Sequence, residues 1–264
     1  MTWNRALLVN KFKALAAHLS ISLVLVAIAL WLMLWRWFPT PLFDTDGGGI
    51  GLKLIVLVDL VLGPLLTFVV FNPAKTRRAL AIDFGTIALL QLGAYFYGLH
   101  NVHAVRVQAV AYHEGVFYTV TPEPLAEQDI GPGGWEALGP RAPYLVDTRE
   151  PANGDELAGA GSYALISGLE PYQLHFLYQP YARAAARHWS QGWSLAALEQ
   201  AHPQVAAAAR EWLQDHARAA ESVRFYRVEG YFERAVMVID FQGQWLGGFV
   251  ADLPVYKAAV KPPT

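Results

Sequence analysis

The chain of 264 residues contains no cysteine. Disulfides, thiolate metal ligands and cysteine nucleophiles are therefore all excluded, while the compartment is left open. Charge is also scarce: 16% of residues are Asp, Glu, Lys or Arg, against roughly 25% in soluble domains. The net charge of −2 offers no basic surface for nucleic acid. No H-E-x-x-H, G-x-S-x-G, P-loop or dinucleotide fingerprint occurs. The Gly47–Gly49 triplet follows no strand and reads as a turn. His100 and His103 form a lone H-x-x-H, read as solvated side chains near an interface. His175, His188, His202 and His216 lack ligand spacing. No catalytic residue, metal ligand or cofactor is expected.

What the chain does have is apolar sequence: 54% hydrophobic residues and a mean hydropathy of +0.25. The excess sits in the first hundred residues. A membrane helix needs about 20 mostly apolar residues, and three stretches qualify. They are Leu15–Trp35, followed by the exit "WFPTPLF"; Leu52–Phe71; and Leu80–Leu99, which ends in Tyr95, Phe96 and Tyr97. No small-residue cleavage site follows the first, so it is not a signal-peptide core. Arg5, Lys11 and Lys13 precede span one, and Lys75, Arg77 and Arg78 lie between spans two and three. The positive-inside rule then places the N-terminus and that turn in the cytoplasm, and everything after about His100 on the outer, periplasmic side.

Span two carries a carboxylate and a helix breaker. Asp59, Gly63 and Thr67 recur every four residues, on one face. An intramembrane carboxylate costs about 2.5–3.5 kcal/mol on insertion scales and normally faces protein or water. Small residues such as Gly63 let a neighbouring helix approach closely. Pro64 removes a backbone donor and frees the Leu60 carbonyl for a partner. His18 and Asp83 lie at similar shallow depth in spans one and three, where they could pair across the bundle, and Gln91 sits two turns beyond Asp83. Three roles stay open for these residues: holding the helices together, gripping a partner's membrane helix, or carrying protons in an enzyme or transport subunit.

The composition then shifts to alternation and turns. "AVRVQAVAY" (104–112), the turn "HEG" and "VFYTV" read as a hairpin, and residues 122–139 as a Pro- and Gly-rich loop. "APYLVDTREP" contains a strand, "NGDELAGAGSYALIS" a glycine-weakened helix, and "PYARAAARHW" a helix. Ser194 caps "LAALEQ", and Pro203 opens a helix running to about Ala220 with Val205, Ala209, Trp212 and Leu213 as its apolar stripe. Three closing strands follow, with a tight turn at Gln242-Gly243 and a stop at Pro254. The expected architecture is a membrane protein: three transmembrane α-helices over 1–101, then an α+β domain over 102–264 with a mainly antiparallel sheet. A ligand sensor is disfavoured, because the cytoplasmic parts are too short for an output domain.

The pattern resembles the type IV pilin accessory proteins of the TfpX/TfpZ, FimB-like kind. The likeness runs through "FKALAAHLSIS", "VDLVLGPLLTFVVF", "NPAK", "IDFGTIALLQLGAYFYG", "LGPRAPYLVDTREP" and "YQPYARAA". The closing "VYKAAVKPPT" departs from the Pro-Trp-like ending of that family. The resemblance implies an inner-membrane protein that assists a major pilin, without catalysis or cofactor, in contact with pilin, other pilus assembly components and lipid. It carries over His18, Asp59, Gly63, Pro64 and Asp83 as packing or partner-contact positions.

Overall fold

The computed structural model describes residues 5–126, 128 and 134–254. The C-terminal stretch "VYKAAVKPPT" and part of the 122–139 loop lie outside the described residues. In chain order the helices are α1 (Arg5–Leu32), α2 (Leu42–Thr45), α3 (Gly48–Val56), α4 (Gly63–Val70), α5 (Arg77–Ala104), α6 (Gly154–Ser167), α7 (Ala185–His188), α8 (Leu195–Ala201) and α9 (Pro203–Asp215). The strands are β1 (Ala109–His113), β2 (Val116–Val120), β3 (Tyr144–Thr148), β4 (Tyr178–Pro180), β5 (Val223–Glu229), β6 (Arg234–Asp240) and β7 (Trp245–Val250). Two compact units result, one from Met1–Pro39 with Gly47–Arg106, the other from Thr40–Asp46 with the chain from Val107 onward.

The first unit holds three helices long and apolar enough to cross a membrane: Leu7–Trp37, Gly48–Val70 and Arg77–Ala104. Each is longer than the apolar run that marks it in the sequence, because flanking residues continue the same backbone ladder. The second is a composite. α3 passes into a π-helical turn, Leu57–Leu62, and then into α4. There the Gly63 N–H donates to the carbonyl of Val58, five residues back. Pro64, which has no N–H to give, follows directly. A π turn fits one extra residue into the helix and alters which side chains share a face. Span one also ends in a π turn, Met33–Trp37, closed by Phe38 N–H donating to the Met33 carbonyl at 2.7 Å.

The second unit is built on a seven-stranded sheet of order β4-β3-β1-β2-β5-β6-β7. Most neighbours are antiparallel, while β1–β3 and β2–β5 are parallel. The β1–β2 hairpin turns through Glu114 and Gly115, both with positive φ, the geometry that matches strand twist in a two-residue turn. Residues 104–108, expected as the start of that strand, instead end α5 and lead into β1. β4 had no sequence signal beyond "YQP". "PYARAAARHW" forms only α7 between two 3-10 turns, since its alanines and arginines carry no apolar stripe to hold a longer helix down. α9 stops at Asp215 rather than near Ala220, and its Val205, Ala209, Trp212 and Leu213 pack with Leu198, Val223, Phe225, Val236 and Val238 into one core. The expected Ser194 cap is present, its hydroxyl accepting from Ala197 N–H at 3.2 Å.

Thr40–Asp46, a loop between spans in the sequence, is bound into the second unit. Asp46 is buried. Its Oδ1 accepts from the Thr119 hydroxyl at 2.6 Å and the Tyr231 N–H at 3.1 Å, and its Oδ2 from the Thr45 hydroxyl at 2.7 Å. The Phe232 N–H donates to the Thr45 carbonyl at 2.9 Å. Burial pushes the Asp46 carboxyl above its ordinary range, and the three hydrogen bonds offset only part of that.

Candidate functional site

The three apolar helices enclose a groove of about 450 Å³. α1 contributes Ala14, Ala17, His18, Ile21, Ser22 and Leu25; the composite second span contributes Asp59 and Thr67; α5 contributes Phe84, Ile87, Ala88, Gln91 and Leu92. The wall is mostly apolar, with a short row of polar side chains set into it.

Several of the polar groups in and around the groove have visible partners. His18 Nδ1 and the Thr67 hydroxyl share a hydrogen bond of 2.5 Å across α1 and α4. Tyr95 donates its hydroxyl to the Leu25 carbonyl at 2.8 Å and is buried with Ala29 and Ile55. Lys11 Nζ donates to the Phe68 and Val69 carbonyls at 2.9 and 3.2 Å. These are last-turn carbonyls that lack helical partners, and a cation suits the negative end of α4. Gly63 lies against Gln91: a β-carbon there would overlap the Gln91 amide. Close approach at Gly63 thus serves packing of α5 on the second span.

Asp59 stands apart. It is 1% exposed, lines the groove, and its Oδ2 has no hydrogen-bond partner among the described residues. It belongs to the π turn. Because the span begins at Gly48, Asp59 lies eleven residues from each of its ends. That is about three turns deep, further in than the apolar run alone indicates.

The structure brings His18, Asp59, Thr67 and Gln91 to one groove, with Gly63 and Pro64 buried behind it. Asp83 is elsewhere. Its carboxylate pairs with Lys75 Nζ at 2.6 Å, so the anticipated His18–Asp83 pair does not form. Lys75 is closer in sequence and competes for the acid, while Thr67 takes the histidine. Lys11, Ser22 and Tyr95 were not singled out from the sequence; they read there as flank, apolar-run filler and interfacial belt.

A second polar cluster lies in the other unit. His188 Nε2 sits 2.9 Å from Asp147 Oδ1, and Gln179 donates to Asp147 Oδ2 at 2.7 Å. The Tyr112 ring packs against His188 at a tilt of 41°, with ring centres 4.4 Å apart. Burial alone would raise the Asp147 carboxyl, but the His188 and Gln179 hydrogen bonds and the nearby His188 and Arg187 charges hold it below the ordinary range. At 41 residues of separation no spacing rule announces this pair. Among the described residues no three His, Asp or Glu side chains group in a metal-holding arrangement.

Over 59 residues, 22% of this chain, the sequence is 42% identical to fimbrial assembly proteins of Dichelobacter nodosus, of serogroup I, of serogroups C1 and C2, and of serogroup E1. The matched stretch spans 23%, 45% and 23% of those relatives' lengths. No family model matches the chain, and no solved structure matches it.

Proposed function

We propose that the protein is a non-catalytic, chaperone-like accessory factor of the type IV pilus, acting on the major pilin while that subunit is stored in the bacterial inner membrane. In this reading the N-terminus is cytoplasmic and the second unit periplasmic. The observation that carries it is the 42% identity to proteins named for fimbrial assembly. The groove supports it: a cleft lined by Ala14, Ala17, Ser22 and Ala88 suits close approach of another apolar helix. The Gly63 position is covered by Gln91, so in this reading the partner's place is the groove between α1 and α5. Within it the pilin helix would be held against removal or misassembly until handed to the pilus.

The test is photo-crosslinking from positions 21 and 92, on the two walls, in cells making the cognate pilin. Capture of pilin from both supports the reading. Capture of no pilin from either, with the protein present at normal level, refutes it. A proton relay through His18, Asp59 and Asp83 is less well supported, because Asp83 is bound to Lys75 and does not line the groove.

A further inference from the structure

A buried acid lies at the centre of a helix long and apolar enough to cross a membrane, and one of its oxygens has no hydrogen-bond partner among the described residues. An unpaired buried charge is among the most unfavourable features a fold can carry. Intramembrane carboxylates ordinarily pair within the bundle or face water. None of the described residues lining the groove is Lys or Arg; its one basic side chain, His18, is engaged with Thr67. The nearby cations are committed elsewhere, Lys11 to the Phe68 and Val69 carbonyls and Lys75 to Asp83. Among the described residues no cation complements Asp59, which leaves that place open to one from outside the chain.

We propose that the groove receives a membrane-spanning helix bearing a single basic side chain at mid-depth, which pairs with the Asp59 carboxylate. Depth decides between a helix and a lipid. Asp59 is eleven residues from each end of its span, about 16 Å along the axis. A lipid amine stays at the headgroup level, some 15 Å from the bilayer centre, while its acyl tail could fill the apolar wall but would leave the carboxylate unpaired. A helix delivers a charged group to that level and buries its own cost in the pair. The small side chains of α1 on the groove wall, Ala14, Ala17 and Ser22, leave room for its backbone. The inference rests on the functional reading above insofar as the helix is a partner protein's, and it adds what the groove selects for.

The full-length protein is reconstituted in phosphatidylcholine vesicles with dansyl-labelled 23-residue Leu-Ala peptides carrying Lys, Asn or Leu at the centre. Energy transfer from the protein's tryptophans reports association. The Lys peptide is expected to bind at least tenfold more tightly than either other peptide, and Asp59→Asn is expected to abolish the preference. The wild-type comparison needs no variant, so a misfolded Asp59→Asn protein does not remove the test. Equal binding of the three peptides overturns the proposal, as does equal binding of the Asn and Lys peptides, which would mean that Asp59 acts only as a neutral hydrogen-bonding group. Displacement of the Lys peptide by phosphatidylethanolamine overturns it in favour of a lipid amine. Pilin capture without Lys preference sinks this inference alone; Lys preference without pilin capture sinks the pilin reading alone.

Discussion

Replacing Asp46 by alanine should loosen the second unit, and the size of the effect follows from its partners. The carboxylate accepts from Thr119, Tyr231 and Thr45, two of them 73 and 185 residues away. Alanine leaves these donors in a dry site without acceptors. Each stranded group costs about 1–3 kcal/mol, and relief of the buried charge returns part of it. The net loss should be about 3 kcal/mol, the balance of these opposing effects. Asp46→Asn keeps one oxygen for Thr119 and Tyr231, and the Thr45 hydroxyl can turn to accept; its loss should be under about 1 kcal/mol. The two variants also separate by pH. Burial raises the Asp46 carboxyl in the folded state. Its contribution is therefore fully present below the ordinary carboxylate value of ~3.9 and is lost as pH rises through the raised one. Wild type should lose stability over that window and Asp46→Asn should not. Thermal unfolding of the detergent-solubilised protein, followed by near-ultraviolet circular dichroism from pH 4 to 8, reads both effects. An alanine variant within about 0.5 kcal/mol of wild type, or an asparagine variant that tracks the wild-type pH curve, would refute this reasoning.

Gly63→Ala should destabilise the helical bundle by about 1–2 kcal/mol through overpacking on Gln91; Gly63→Ala with Gln91→Ala should recover most of it in the same unfolding assay. Lys11→Met strips two carbonyls at the end of α4 of their donor and should lower the melting temperature by an amount matching about 1 kcal/mol. His188→Ala should cost about 1–3 kcal/mol and raise the Asp147 carboxyl. Because that carboxyl is depressed in the folded state, its contribution is present above the ordinary value near ~3.9 and lost as pH falls through the depressed one. The variant should therefore lose less on acidification than wild type. Arg149 donates to both Glu156 oxygens at 2.6 and 2.8 Å and helps hold that carboxyl at about 2; Arg149→Ala should return it toward the ordinary carboxylate range in a carbon-detected NMR titration.

The three spans were legible because an apolar run of that length has one physical use. α9 was legible because Pro203 and the Val205-Ala209-Trp212-Leu213 stripe state a start and a face. The closing strands β5, β6 and β7 were legible through alternation and the Gly243 turn. The parallel pairings of β1 with β3 and β2 with β5 were not, since register between distant strands is set by the whole sheet. At the groove, Asp59 and Gly63 stood out as costly or small residues in an apolar run. The π turn did not, because i→i+5 bonding leaves no compositional trace. Lys11 looked like an ordinary cytoplasmic flank, though it reaches two carbonyls on another helix. The His18–Asp83 pair failed for a general reason: equal depth says nothing about azimuth around the bundle or about a nearer competitor such as Lys75.

The anchoring of Thr40–Asp46 has a practical and a biosynthetic consequence. A soluble fragment cut after α5 would lack the heptapeptide that carries Asp46, and would present Thr119 and the Tyr231 amide to a vacant slot. Grafting residues 40–46 back through a short linker is the rational remedy for crystallisation or NMR. On the ribosome the same seven residues must wait for partners translated 73 and 185 positions later, so completion of this unit trails far behind the synthesis of its first segment.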